Sequence, residues 1–200
     1  ALLAIAHSDH WGTASLEWCG EALQSDRAIA LEYCRNASRN FQYVSASLKA
    51  DRELILTACN GASSYDHPLQ HVDASVLEDR EFVLDCIRSN PDTLGALPAN
   101  WADDKEAALV AVSSMAGNQS SSALGDVSDR LKQDPEIIQA ALDKTGYAAQ
   151  HTSVPLQVDA STALKAVLEY DKAYDHLSDE LKANRGIQMA ALVGSWGPET

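Results

Sequence analysis

Asp79-Arg80-Glu81-Phe82-Val83-Leu84-Asp85-Cys86-Ile87, residues 79–87, opens with an acidic-basic-acidic triplet and runs directly into an apolar cluster. The triplet returns as Asp51-Arg52-Glu53 and Asp104-Lys105-Glu106. Degenerate copies stand at Asp26-Arg27-Ala28, Asp134-Pro135-Glu136, Asp159-Ala160-Ser161 and Asn184-Arg185-Gly186. The starts at 26, 51, 79, 104, 134, 159 and 184 are separated by 25, 28, 25, 30, 25 and 25 residues. A period held this steadily marks a tandem repeat.

Each start reads as a helix N-terminus. Asp or Asn just before an apolar-periodic segment accepts hydrogen bonds from first-turn N–H groups that have no partner inside the helix. Pro135 fixes the phase, because proline suits the first helical position and disrupts the interior. The glutamate that often follows sits well at the positive end of the helix dipole. Three residues after the cap come Ile29, Leu54, Phe82, Ala107, Ile137, Thr162 and Ile187, and eight after come Cys34, Cys59, Ile87, Val112, Leu142, Val167 and Leu192. The seventh position is mostly small, as at Ala58, Ala111, Ala141 and Ala166, where another helix is expected to pass closely. Each start therefore predicts an amphipathic helix of about ten residues, too short to stand alone.

Ten, seven and three residues before each cap lies a second apolar set, such as Phe41, Val44 and Leu48, or Leu124, Val127 and Leu131. Spacing of i, i+3, i+7 predicts another short helix. The copy at Ala149, Thr152 and Leu156 is weak, with Pro155 interrupting it. One such unit has too few apolar residues to offset the ordering of its own backbone, so neighbours must share cores. The expectation is an all-α fold, an α-solenoid of helix-turn-helix repeats forming one domain over 1–200, with a partial repeat at 1–25 and a tail at 194–200.

Composition narrows the function. The 200 residues carry 29 Asp and Glu against 15 Lys and Arg, a net charge of −14. The cations are scattered singly, which disfavours nucleic acid; the acidic surface either serves solubility or suits a protein partner with a basic surface. No stretch approaches the roughly 20 apolar residues of a spanning helix, so an integral membrane protein is not expected, although docking on a membrane complex is compatible. The start at Ala1 without methionine suggests either removal of a targeting segment, and with it an organellar location, or a fragment cut from a longer chain. Cys19, Cys34, Cys59 and Cys86 fall on apolar stripe positions without Cys-x-x-Cys spacing, and read as buried thiols.

The Asp-Arg-Glu-apolar start, with Leu-x-(Tyr/His)-apolar-x-x-x-Leu before the next cap, resembles the tandem helical repeats termed domain of unknown function 4116, found in algae, protists, giant viruses and some bacteria. The resemblance runs from about Trp18 to Val193 and is clearest over Phe41 to Arg88. It implies an all-α, multi-copy architecture and brings no catalytic positions with it.

Candidate binding residues follow from the register. Eight residues before each cap stand Trp18, Tyr43, His71, Ala96, Asp126, His151 and His176, equivalent positions rich in rings. Trp18, Tyr43, His71, His151 and His176 are read either as seals between units or as a recognition ridge. Insertions bearing Tyr65, Asp66 and His67, and Asn118 and Gln119, are candidate binding loops. Trp196 is a candidate cap or anchor in the tail. No phosphate loop, dinucleotide fingerprint, nucleophile elbow or zincin motif occurs, and no catalytic residue, cofactor or metal is assigned. The leading expectation is a non-catalytic scaffold or peripheral subunit of a larger complex, and the algal and protist distribution of the family it resembles implies a plastid or photosynthetic one. The alternatives are a metal-dependent or catalytic protein using the loop histidines, and a pathogen or viral effector module.

Overall fold

The computed structural model describes residues 15–60, 62, 67–115, 123–152 and 155–194. The described residues are helical, and the nearest approach to a sheet is an isolated parallel bridge between Leu156 and Leu177. The chain divides into two compact units, Ala1–Pro98 and Ala99–Thr200.

The first unit contains α1 (Glu21–Gln24), α2 (Arg27–Asn36), α3 (Arg52–Cys59), α4 (Ala74–Glu78), α5 (Arg80–Ser89) and α6 (Thr93–Ala96). The second contains α7 (Ala99–Ala102), α8 (Lys105–Ser114), α9 (Ala123–Asp126), α10 (Pro135–Lys144), α11 (Ala160–Glu169), α12 (Asp179–Lys182) and α13 (Arg185–Gly194). All seven helices expected from the triplets are present, each beginning one residue after its cap. Asp26, Asp51, Asp79, Asp104, Asp134 and Asp159 each accept from first-turn N–H groups of their own helix, and Asn184 does the same for Gly186 and Ile187. Within the first unit α2 packs on α3 and α3 on α5; within the second, α8 packs on α10, α10 on α11 and α11 on α13.

The buried stripe is wider than the expected one. Besides the third, seventh and eighth positions, the fourth is buried at Ala30, Ile55, Val83, Ala108, Ile138 and Ala163. Four such positions in two turns give each short helix an apolar face broad enough to serve two neighbours. The small seventh position has the predicted consequence at Ala166. A Cβ on Gly146 would lie 2.4 Å from its carbonyl oxygen, so the backbone of one segment runs directly over α11.

The segments between capped helices differ from expectation. In place of one short helix, the chain forms pieces of one or two turns with an extended joint between them. Leu16–Trp18 precedes α1, Ser38–Tyr43 precedes Ala46–Leu48, and Asp171–His176 precedes α12, the leading pieces being 3-10 turns. At five of the seven caps the residue seven before it is shown to form the joint: Cys19, Val44, Leu97, Thr152 and Leu177 all have extended backbone. The next residue is the physical cause. Gly20, Ser45, Asp73 and Ser178 are N-caps of the following turn, and the Ser128 hydroxyl accepts from Leu131 N–H. Such residues start helices better than they continue them.

The joint also stitches neighbouring repeats. The N–H six residues before a cap donates to a carbonyl of the preceding repeat, from Ser45 to Gln24, Asp73 to Lys49, Ser128 to Ala102 and Ser178 to Leu156. Pro98 occupies the same position and has no N–H to give. It is the last residue of the first compact unit.

Candidate functional site

The basic residue of the triplet acquires its meaning only in the folded chain. A cation at the first position of a helix faces the positive end of that helix's own dipole, so it gains nothing locally. Instead it reaches the cap of the next helix. Arg27 Nε lies 2.6 Å from Asp51 Oδ2 and Arg27 Nη2 2.5 Å from Glu53 Oε2. Arg52 pairs with Asp79 while its guanidinium sits 4.9 Å from the centre of the Phe82 ring. Lys105 Nζ stands 2.8 Å from both Asp134 and Glu136. The triplet is thus a ladder: Asp caps its own helix and receives the previous rung, the cation makes the next rung, and Glu can double it.

The ladder holds its carboxylates ionised. The Arg27 guanidinium lowers the pKa of Asp51, Arg52 lowers that of Asp79, and Lys105 lowers that of Asp134. Where Pro135 and Ala160 replace the cation there is no rung, and Asp159 is held well below the usual carboxylate range by the hydroxyls and N–H groups of Ser161 and Thr162. Exposed pairs of this kind contribute about 0–1 kcal/mol each, so they set register more than stability. Asp51→Ala, which removes cap and rung together, is expected to lower unfolding free energy by about 1–2 kcal/mol. Urea denaturation would show this as a lower midpoint at unchanged slope. Asp51→Asn keeps the cap and should lose only a minor part of it.

The ring-bearing positions differ in exposure. Trp18 is 70% exposed, whereas Tyr43 packs against the first unit's core, which includes Leu16, Phe41, Leu54 and Cys59. His71, His151 and His176 are half-buried. Segments carrying or flanking these positions lie beside one another within each unit: Leu16–Trp18 with Ser38–Tyr43, that with Pro68–Gln70, which His71 directly follows, and Gly146–His151 with Asp171–His176. Burial lowers the pKa of His151, aided by the Lys132 charge and opposed by that of Asp126, the equivalent residue one repeat earlier. An open groove of about 420 Å3 runs along Pro155, Asp175, His176, Asp179 and Lys182. The proline that weakens the sequence pattern is therefore part of a concave surface the sequence did not announce.

His67, expected on a binding loop, is fully buried. It caps the turn Pro68–Gln70, its Nδ1 accepting from Leu69 N–H at 3.3 Å and its Nε2 lying 3.1 Å from Thr93 Oγ1. Thr93 in turn donates to the Cys86 carbonyl. With Nδ1 as acceptor, the neutral ring carries its proton on Nε2 and donates to Thr93, so both nitrogens are used within the fold. Burial pushes its pKa down to about 4. Tyr65, Asp66, Asn118, Gln119 and Trp196 lie outside the described residues.

The four cysteines are free, and three are buried. Burial pushes the Cys34 thiol up to about 12, and a hydrogen bond with Cys86 together with burial raises that of Cys59. Neither is poised as a thiolate nucleophile. Among the described residues no three His, Cys, Asp or Glu side chains gather as a cation site would need, and no helix is long and apolar enough to cross a membrane.

Comparison with protein-family models, curated proteins and solved structures finds no match to this chain.

Proposed function

We propose that the chain is a non-catalytic α-solenoid scaffold that docks other proteins along one edge of its repeats. The ladder is the observation that carries this reading. Acids and cations that could have formed a reactive site instead repeat, in register, as caps and rungs between successive helices. That is how a chain spends charge when its task is to hold a regular surface. The resemblance to tandem helical repeats of unknown function supports the same architecture.

Two features favour a protein ligand. The net charge of −14 suits a partner with a basic surface, and exposed Trp18, beside the segment carrying Tyr43, offers an aromatic anchor. Sedimentation of the protein isolated gently from its source tests this. A second polypeptide, identified by mass spectrometry, is expected to co-sediment with it. Loss of that polypeptide between about 0.05 and 0.5 M salt would assign the contact to the acidic surface. Retention in salt, with loss in Trp18→Ala, would assign it to the ring-bearing edge. Stoichiometric zinc in the purified protein and no co-sedimenting polypeptide would overturn the reading in favour of a metal-dependent function.

A further inference from the structure

Six of the seven capped helices are preceded by a short helical piece: Glu21–Gln24, Ala46–Leu48, Ala74–Glu78, Ala99–Ala102, Leu131–Gln133 and Asp179–Lys182. Before Asp159 the chain is extended instead, and residues 155–158 form no turn. Pro155 stands four residues before that cap, inside the stretch where the other copies are helical. Proline is a poor residue to carry a helix through, so the backbone here runs on as a short strand.

Only one edge of this strand is used. Leu156 N–H donates to the His176 carbonyl at 2.8 Å, and the Leu156 carbonyl accepts from Ser178 N–H at 3.1 Å. Both polar groups of Leu156 therefore face the Leu177 segment, and those of its neighbours, the Pro155 carbonyl and the N–H and carbonyl of Gln157, face the opposite edge. None of these three has a partner among the described residues, and Gln157 is exposed. Pro155 and Gln157 also line a second cleft, of about 310 Å3, with Gln133, Pro135 and Ile138. Pro155 lines the 420 Å3 groove along Asp175 and Asp179 as well, so groove and cleft share a wall. Asp175 and Asp179 are exposed on that groove with no cation partner among the described residues, whereas Lys182 is turned to the Asp175 carbonyl at 2.9 Å.

We propose that residues 155–157 dock an extended segment of a partner protein that carries an arginine or lysine. An open strand edge flanked by clefts suits β-strand addition, in which main-chain bonds give affinity and the clefts select side chains. The incoming backbone pairs with Gln157, its basic side chain enters the groove beside Asp175 and Asp179, and an apolar side chain fills the cleft against Pro135 and Ile138. The two carboxylates without cations make a basic segment the favoured occupant. All of these residues belong to the second unit. The proposal rests on the scaffold reading in taking the ligand to be a protein, and it assigns where that protein binds.

Selection of a phage-displayed library of random linear peptides on the immobilised full chain tests it. Enriched peptides are expected to share an arginine or lysine. Their synthetic counterparts should bind at least about tenfold more weakly to the double variant Asp175→Asn, Asp179→Asn and to Gln157→Pro. Both variants are expected to fold, because the carboxylates are exposed and Leu156 already has the extended conformation that a following proline favours. Methylating alternate backbone nitrogens of the synthetic peptide reads the pairing without altering the protein, and one of the two alternations should abolish binding. No enrichment, peptides without a basic residue, or undiminished binding to the variants or by both methylated peptides would overturn the proposal. A native polypeptide that co-sediments equally with wild type and variants would overturn this site and leave the scaffold reading intact. Peptides seated in the groove with no native co-sedimenting polypeptide would contradict the scaffold reading and leave the peptide site in place.

Discussion

Gly146→Ala is expected to destabilise the second unit by roughly 1–3 kcal/mol, although the same change usually stabilises a protein slightly by restricting its unfolded chain. The reason is contact. The new methyl carbon would lie 2.4 Å from the Ala166 carbonyl oxygen and 2.9 Å from its Cα, both backbone atoms of α11. No side-chain rotation relieves that. Gly146 N–H also donates to Glu169 Oε2 at 2.7 Å, so displacement of the segment would break a charge-assisted bond. Thermal or urea denaturation gives the sign directly. A neutral or stabilising result would mean that the small seventh position does not reflect backbone approach at Gly146.

Acid should destabilise the first unit well before its carboxylates titrate. His67 is neutral in the fold with a pKa of about 4, against about 6.5 in an unfolded chain. A histidine depressed by folding contributes no penalty above pH 6.5. As pH falls from there the unfolded state takes up the proton first, and the loss is complete only below the folded value. The full penalty is roughly 3 kcal/mol, reached near pH 4. The ladder and cap carboxylates add their own loss below about pH 4, because their folded pKa values are depressed and they must be protonated on unfolding in acid. Stability measured across pH 7 to 4 should therefore slope downward in the wild type. In His67→Gln that slope should flatten, whatever the variant's stability at pH 7. An unchanged slope would place the titrating group elsewhere.

The capped helices were legible because their signal is local: Asp at the cap, Pro135 at the first position, and apolar residues at fixed offsets all act within one helix. The ladder was not legible. Arg52 and Asp79 are 27 residues apart, and an arginine after an aspartate reads as a solvated charge until the next helix is in place. The joint between turns was hidden for another reason. Apolar spacing of i, i+3, i+7 is satisfied equally by one helix and by two shorter helical pieces with an extended residue between them. Cap-forming residues at Gly20, Ser45, Asp73, Ser128 and Ser178, all six before a start, carried the missing signal. His67 looked like a loop residue because of its neighbours in sequence. Its burial is decided by Thr93, 26 residues later, which supplies the polar partner that a ring in the core requires. The exposure of Leu192 was equally invisible, since it fits the apolar stripe as well as buried Leu142 does.

Cross-linking mass spectrometry on the protein in its native assembly tests the scaffold reading most directly. Links from Lys49, Lys132 or Lys182 to a different polypeptide, concentrated on one edge of the repeats, are the predicted result. Links confined to the chain itself, from a protein that runs as a free 21.5 kDa monomer, would contradict it.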